Sequence, residues 1–455
     1  MLFNSITFLI FHLICLMIFW STKSLLMRNT LLFTGSLFFY GWYYWPGLIV
    51  LGISILFNYY FSLKIAETNS KKILSIAVIA NLASLSFFKY SKFILDNFIT
   101  LFNSVGVELT VPNYNYWLPL GISFYTFQII GYLVDIYRKE VEVEKDFVIF
   151  GVFKCFYAQL IAGPIVRAKE FLPQLRRVNT FNPDQFKLGI YYILAGLSIK
   201  IVIADTVSQF VDFGFSNPEK LSFLNSWLTL YGFAVQILSD FWGYSTIAIG
   251  IAYMYGLKLP LNFNNPYIAT SIRDFWRRWH ITLSFWLRDY LYISLGGNRK
   301  YRLRNLMITM TLGGLWHGAS WNFIFWGVGH GLWLVLERII PFKLPRNKFY
   351  KFLNQIIVFH GVCLLWVFFR ADDFRNAFNY FQSLLGSFES SIKISDTLIF
   401  QLILFFLFIL FFEKSLKDER FLKWSLFKQV SVSLLFFFLI NSYASAKLDF
   451  IYFVF

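Results

Sequence analysis

Apolar positions run almost unbroken in long stretches from one end of the chain to the other, and polar positions are confined to the gaps between them. The stretches cover 6–20, 31–45, 47–63, 73–88, 118–134, 147–166, 188–204, 222–257, 306–335, 356–369, 398–412 and 425–440. Residues 401–412 (QLILFFLFILFF) are apolar at nearly every position, whereas a strand of a closed barrel would alternate lipid-facing with lumen-facing residues. The predicted element is therefore the helix. A helix perpendicular to the bilayer needs roughly 20 residues to cross the hydrocarbon core, so the shorter stretches predict tilted, re-entrant or half-length helices. The expected fold is all-α: a polytopic integral membrane protein with about eleven transmembrane helices, plus re-entrant and interfacial helices around a central cavity. No Pro/Ser-rich linker or repeat divides the chain, so 1–455 is expected to form a single membrane-embedded domain. The first stretch lacks a basic flank and a small-residue cleavage site, which predicts a retained span rather than a signal peptide.

Composition makes lipid the solvent. The chain is 57% hydrophobic and 15% charged, a balance that a soluble domain of this length would not tolerate on its surface. Its net charge of +16 comes from 41 Lys and Arg that lie mostly between the apolar stretches, as the positive-inside bias of membrane proteins places them. That distribution argues against nucleic acid as a partner. It suits anionic lipid headgroups or a phosphorylated ligand arriving from the cytoplasm. The three cysteines, Cys15, Cys155 and Cys363, each sit in an apolar stretch without metal-ligand spacing and read as packing residues. No metal site and no tightly bound cofactor are expected.

The longest polar interruption, Lys258 to Asn305, sets the sidedness. Its part 273–304 carries eight basic residues against two acids, Asp274 and Asp289, and is expected in the cytoplasm. The basic segment Arg167 to Lys187 returns to the same side after two intervening spans. Within 273–290 (RDFWRRWHITLSFWLRDY), Arg273, Arg277, His280, Ser284 and Arg288 fall at i, i+4, i+7, i+11 and i+15. That spacing predicts one stripe on an amphipathic interfacial helix. The stripe reads either as a headgroup anchor with snorkelling arginines or as a site where Arg273, Arg277 and Arg288 bind the phosphates of a donor.

Residues 306–335 (LMITMTLGGLWHGASWNFIFWGVGHGLWLV) hold His317 and His330 among six glycines. A single straight helix here would carry the basic residues Arg338, Lys343, Arg346, Lys348 and Lys351 to the wrong side. A break at Gly313 to Gly318 returns the chain to the cytoplasm and leaves His317 at the inner end of a cavity, since irregular backbone at membrane depth must be buried in protein or line water. An ionisable side chain at that depth is a functional candidate, set against a plain interhelical hydrogen bond. His330, thirteen residues on, would point away on a continuous helix and reads as structural. Gln236, Asp240 and Tyr244 form a polar stripe in 222–257, and Gln128, Tyr132 and Asp135 form another. Both read as protein-facing structural stripes, with Asp240 retained as a candidate orienting group.

At this point the residues match a known pattern. LPLGISFYTFQIIGYLVDIYR (118–138), QLIAGPIVR (159–167), GYSTIAIG (243–250), DFWRRWHITLSFWLRDYLYISLGGNR (274–299) and GGLWHGASWNFIFWG (313–327), with the opening MLFNS and the closing FIYFVF, span nearly the whole chain. The chain resembles the membrane-bound O-acyltransferases, in particular the bacterial branch of alginate and peptidoglycan O-acetyltransferase membrane subunits and the D-alanyl transfer protein of teichoic acid. The resemblance implies that His317 matches the family's catalytic histidine and His280 its second motif histidine. It also implies an acyl thioester donor such as acetyl-CoA on the cytoplasmic side, an SGNH-type acyltransferase partner in the periplasm or outside the cell, an envelope polysaccharide as final acceptor, and residence in the bacterial inner membrane. Two positions depart from the pattern: Thr246 stands where the family usually has Asp, and Val454 where it commonly has Gln.

The chemistry of the residues is compatible with this. Attack of a hydroxyl on a thioester needs a base with a pKa near neutrality, for which imidazole is suited. The developing oxyanion needs donors, for which Trp316, Trp321 and Asn322 are candidates. A transporter and a non-catalytic scaffold are the rival classes; the chain shows no internal repeat of its halves, a common transporter feature.

Overall fold

The structure, a computed structural model, describes residues 1, 3–110, 117–340, 347–386, 396–417 and 420–443. The closing segment FIYFVF with Val454, and the basic residues Lys343 and Arg346, lie outside the described residues. Among the described residues every regular element is helical, and the chain groups into two compact units, Met1–Phe186 with Ile251–Leu259, and Lys187–Gly250 with Pro260–Phe455.

The first unit contains α1 (Ile6–Ser21), α2 (Leu25–Tyr43), α3 (Trp45–Thr68), α4 (Lys71–Ser104), α5 (Ile122–Tyr137), α6 (Phe147–Cys155), α7 (Tyr157–Leu160) and α8 (Ala168–Leu175). Polar residues in the gaps start these helices. Ser5 accepts from the N–H of Phe8, Ser24 from Met27, Ser70 from Ile73, and Asp146 from Val148 and Ile149, each satisfying an orphan donor of a first turn. Inside the unit, Asn58 and Asn81 exchange amide hydrogen bonds of 3.0 and 2.7 Å between α3 and α4. Gln128 donates to the Phe153 carbonyl at 2.6 Å, and Tyr132 accepts from the Glu144 N–H at 2.8 Å, so two members of that stripe do structural work.

The second unit contains α9 (Pro183–Ser198), α10 (Asp205–Ser216), α11 (Phe223–Met254), α12 (Ile272–Trp276), α13 (Ile281–Trp286), α14 (Arg302–His317), α15 (Trp321–Ile339), α16 (Lys348–Arg370), α17 (Phe374–Ser383), α18 (Asp396–Lys417) and α19 (Leu426–Tyr443). A π-helical turn, Ile199–Ala204, joins α9 to α10. Each apolar stretch of the sequence coincides with a helix or helix pair. Five described helical runs are long and apolar enough to cross a membrane: Trp45–Thr68, Lys71–Ser104, Pro183–Ser216, Lys348–Arg370 and Leu426–Tyr443. Ile6–Ser21, Phe147–Leu160 and Ile399–Leu410 are shorter apolar helices, in line with the half-length elements that run length predicts.

The stretch 306–335 is divided between α14 and α15. The extended residue Gly318 ends α14, and Ser320 is the residue before α15. Contacts run in antiparallel register: a Cβ on Gly314 would meet the Phe323 carbonyl at 2.2 Å, one on Gly327 the Met310 carbonyl at 2.4 Å, and one on Gly331 the Met307 sulfur at 3.0 Å. The hairpin therefore returns the chain as the charge rule requires. The position of the break differs from expectation. Gly313 and Gly314 lie within α14, and the turn begins at Gly318, because glycine at 314 and 327 serves backbone-to-backbone contact between the helices rather than a change of direction.

Candidate functional site

The C-terminal residue of α14 is His317, at the tip of the hairpin. A 16-residue helix is about 24 Å long, so the imidazole is carried well away from Arg302 and Arg304 in the first turn of α14. It is 3% exposed. Its ring centroid lies 5.0 Å from Trp316, 5.0 Å from Trp326 and 5.2 Å from Phe369, all edge-on. Phe369 comes from the end of α16, held there because Asn322 donates to the Ala371 carbonyl at 2.8 Å.

His280 and His330 belong to the same aromatic cluster. His280 is fully buried, 5.9 Å from Trp316 and 4.6 Å from Phe241. His330 is fully buried, 4.8 Å from Trp326 and 5.1 Å from Trp276, and stacks on Phe275. The expectation that His330 points away from His317 assumed a continuous helix; the turn at Gly318 folds α15 back, so both rings lie against Trp326. Neither ring nitrogen of His330, nor the indole N–H of Trp276, Trp279, Trp326 or Trp366, has a hydrogen-bond partner among the described residues. Buried indoles usually find an acceptor. The cluster thus brings hydrogen-bonding capacity into an otherwise apolar interior beside His317.

The single amphipathic helix expected over 273–290 is not formed, and this corrects the arginine–histidine stripe. Helix α12 ends at Trp276, His280 adopts a left-handed conformation (φ 40°), and α13 starts at Ile281. The bend is pinned by backbone bonds from Asn264 to Arg278 at 2.9 Å and from Ile281 to Asn262 at 2.8 Å. The physical reason is burial: turning the chain directs Phe275, Trp279 and His280 into the aromatic core, while Arg273, Arg277 and Arg288 stay exposed. Arg288 is paired with its neighbour Asp289 at 2.5 and 3.1 Å. Arg273 and Arg277 form no salt bridge among the described residues. Glu337 of α15 accepts from the N–H groups of Ile272 (2.6 Å) and Arg273 (3.4 Å), so it anchors α12 against the hairpin.

Of the candidates for orienting the reaction, Trp316 lies between His280 and His317. Trp321 is 52% exposed at the start of α15, which sets it apart from the buried cluster. Asn322 uses its amide N–H on Ala371, a structural assignment. Asp240 faces Lys200, whose ammonium lies 3.5 Å from it and is also hydrogen-bonded to Asp205. Lys200 and Asp205 escaped the reading of the sequence, although a lysine inside an apolar stretch is itself a signal. So did His12, which meets the Tyr157 hydroxyl at 2.7 Å, and His360, which bridges Tyr231 and the Ile356 carbonyl at 2.9 and 2.8 Å.

Helices of membrane-spanning length around a buried histidine define a polytopic membrane protein with an internal polar site. Residues 146–372 match the membrane-bound O-acyltransferase family. The chain is 39% identical over 401 residues to the peptidoglycan O-acetyltransferase of Helicobacter pylori, covering 80% of this chain and 75% of that one. It is 38% identical over 396 residues to a probable alginate O-acetylase of Azotobacter vinelandii, covering 85% and 78%. To a teichoic acid D-alanyltransferase of Bacillus subtilis it is 28% identical over 283 residues, covering 58% and 72%. The protein belongs to the membrane-bound O-acyltransferase family. It is a multi-pass membrane acyltransferase of the kind whose members modify alginate, peptidoglycan or teichoic acid.

Proposed function

We propose that the protein takes an acetyl group from a cytoplasmic thioester donor such as acetyl-CoA and passes it through the bacterial inner membrane, with His317 as general base. The group goes to a hydroxyl at the outer face, directly or by way of an SGNH-type partner, for O-acetylation of an envelope polysaccharide of the alginate or peptidoglycan type. The observation that carries this reading is the setting of His317: an ionisable group at the tip of a hairpin, buried in protein beside indole N–H groups suited to a developing oxyanion. Acetyl is favoured over D-alanyl because the two O-acetylating relatives match more of the chain at higher identity than the D-alanyl one. No Ser or Cys in these segments has the strand–turn–helix setting of a nucleophile elbow, which favours direct transfer over a covalent serine intermediate.

The purified protein should consume acetyl-CoA in the presence of a polysaccharide acceptor and leave D-alanyl thioesters untouched. Ester formation from the D-alanyl donor alone would move the assignment to teichoic acid modification, and consumption of neither would return it to a transporter or scaffold. Two further outcomes follow. Neutralising Arg273 and Arg277 together should raise the donor KM about tenfold or more with kcat retained, since a charge-assisted phosphate contact contributes on the order of 1.5–3 kcal/mol; an unchanged KM in a folded variant contradicts the donor site. Replacing Cys15, Cys155 and Cys363 together should leave turnover within about twofold, because all three are buried free thiols and no metal-ligand cluster occurs among the described residues. Loss of turnover in a folded triple variant would point to a thioester relay.

A further inference from the structure

Three charged side chains meet about midway along two long helical runs of the second unit, one of them long and apolar enough to cross a membrane. Lys200 lies 17 residues from the start and 16 from the end of the helical run Pro183–Ser216, and Asp240 lies 17 residues from the start and 14 from the end of Phe223–Met254. Lys200, Asp205 and Asp240 are 5%, 8% and 3% exposed. Local backbone geometry builds the cluster. In an α-helix, residues five apart point about 140° away from each other; here the turn is π-helical, with the Asp205 N–H donating to the Lys200 carbonyl, so the two side chains come together in an ion pair. Opposite them, Gly196 and Gly243 bring α9 and α11 into backbone contact: a Cβ on either would lie 2.7–2.8 Å from the other's carbonyl oxygen. Lys200, one turn beyond Gly196, thereby comes within 3.5 Å of Asp240.

One ammonium and two carboxylates carry a net charge of −1 when all are ionised, which is costly at membrane depth. A single proton makes the cluster neutral. Asp205 Oδ2 and Gln236 Oε1, the latter one turn from Asp240, are buried without a hydrogen-bond partner among the described residues, so there is polar capacity beyond the ion pairs themselves. A chain of ring contacts leads from the cluster toward the histidines: Phe241 follows Asp240 and its ring touches His280, His280 touches Trp316, and Trp316 touches His317.

Transfer across a membrane has a charge balance that transfer within one compartment lacks. This step rests on the proposed function. The thioester C–S bond breaks and its electron pair stays on sulfur as a thiolate in the cytoplasm; the acyl carbon bonds to a hydroxyl oxygen at the outer side, and that hydroxyl gives up its proton. If the proton left to the outside and the thiolate were protonated from the cytoplasm, each turnover would move one positive charge outward. Against about 100 mV that is worth ~2.3 kcal/mol, or ~50-fold in an equilibrium. If the same proton passes inward to the thiolate, the products are ester and thiol and no net charge crosses. We propose that the Lys200–Asp205–Asp240 cluster stores that proton in transit and makes acyl transfer across the membrane electroneutral.

The test uses the full-length protein in sealed liposomes, with acetyl-CoA outside and an alginate oligosaccharide, an SGNH-type acyltransferase partner and the pH dye pyranine inside. Potential is clamped with potassium and valinomycin. The proposal expects fewer than about 0.1 protons released in the lumen per acetyl ester formed, and initial rates that agree within about twofold between 0 and 100 mV, lumen positive. Release approaching one proton per ester, with a rate that falls more than fivefold at 100 mV, overturns it. Absence of any lumenal ester overturns the transmembrane reading on which it rests, and is distinguishable because no product appears. The isosteric Asp205→Asn should shift the residual reaction toward proton release and voltage sensitivity. If that variant folds and still transfers without either change, the cluster is not the store. Should it not fold, the wild-type stoichiometry and voltage response decide alone.

Discussion

His317→Ala should lower single-turnover acyl transfer by about 10²- to 10⁴-fold, or roughly 3–5 kcal/mol of transition-state stabilisation, while donor affinity and detergent stability stay nearly unchanged. The expectation follows from position. His317 is the last residue of α14, so truncating it disturbs no intrahelical packing beyond its own aromatic neighbours, and the hairpin contacts run through Gly314 and Gly327 below it. The donor's charged part, in contrast, is assigned to Arg273 and Arg277 on the exposed side of α12 and its turn. A rate loss without a KM change is therefore the signature of a base. The other histidines should separate from it. His280 is fully buried in a left-handed conformation, which Asn tolerates better than most residues, so His280→Asn should fold better than His280→Val. His330→Ala should lower thermal stability by opening a cavity between Trp276 and Trp326, as well as changing the interior beside His317. If His317→Ala retained more than about a tenth of wild-type turnover, the loss would fall below the usual range for a general base, and the assignment would move to one of these two.

The second large effect is structural. Gly327→Leu should prevent the α14–α15 hairpin from closing, because even the Cβ would sit 2.4 Å from the Met310 carbonyl oxygen and 3.1 Å from the Gly314 Cα. Both obstacles are backbone. Overpacking against yielding side chains costs about 1–3 kcal/mol, and here the helices themselves must part, so the loss should exceed ~3 kcal/mol and appear as failure to recover monodisperse protein from detergent. Gly329→Ala supplies the control: its Cβ meets the Leu365 Cδ2 at 2.5 Å, a mobile side-chain end, and the next Leu365 atom is 3.7 Å away. That variant should be recovered with a melting temperature close to wild type. Equal loss in both variants would mean that close helix approach is not what these glycines provide.

These contrasts show which features the sequence makes legible. Helix positions were readable because continuous apolar runs leave a membrane chain little choice: backbone groups in lipid must be bonded within the helix. The return of the chain at His317 was readable from charge, since Arg302 and Arg304 in the first turn of α14 and Arg338 in the last turn of α15 require one side. What failed was local periodicity. The spacing of Arg273, Arg277, His280 and Arg288 fits one helical face, but spacing cannot report that burying Phe275, Trp279 and His280 together outweighs continuing the helix. The direction of His330 was hidden for the same kind of reason, because it depends on the turn at Gly318 earlier in the chain. Lys200 and Asp205 look unrelated at a separation of five and become partners only through a π-helical turn. The glycines of 313–331 likewise announced irregular backbone, while at 314 and 327 they mark contact between regular helices.

The account stands most directly on whether the acyl group crosses the membrane at His317. Liposomes carrying the wild-type protein or His317→Ala, with carbonyl-labelled acetyl-CoA supplied only outside and an alginate oligosaccharide with an SGNH-type acyltransferase partner sealed inside, report this. The wild type should deposit label on the lumenal oligosaccharide as an alkali-labile ester, with His317→Ala at least about 100-fold slower. Label that appears only as free acetate outside, or lumenal ester formed equally well by His317→Ala, would contradict it.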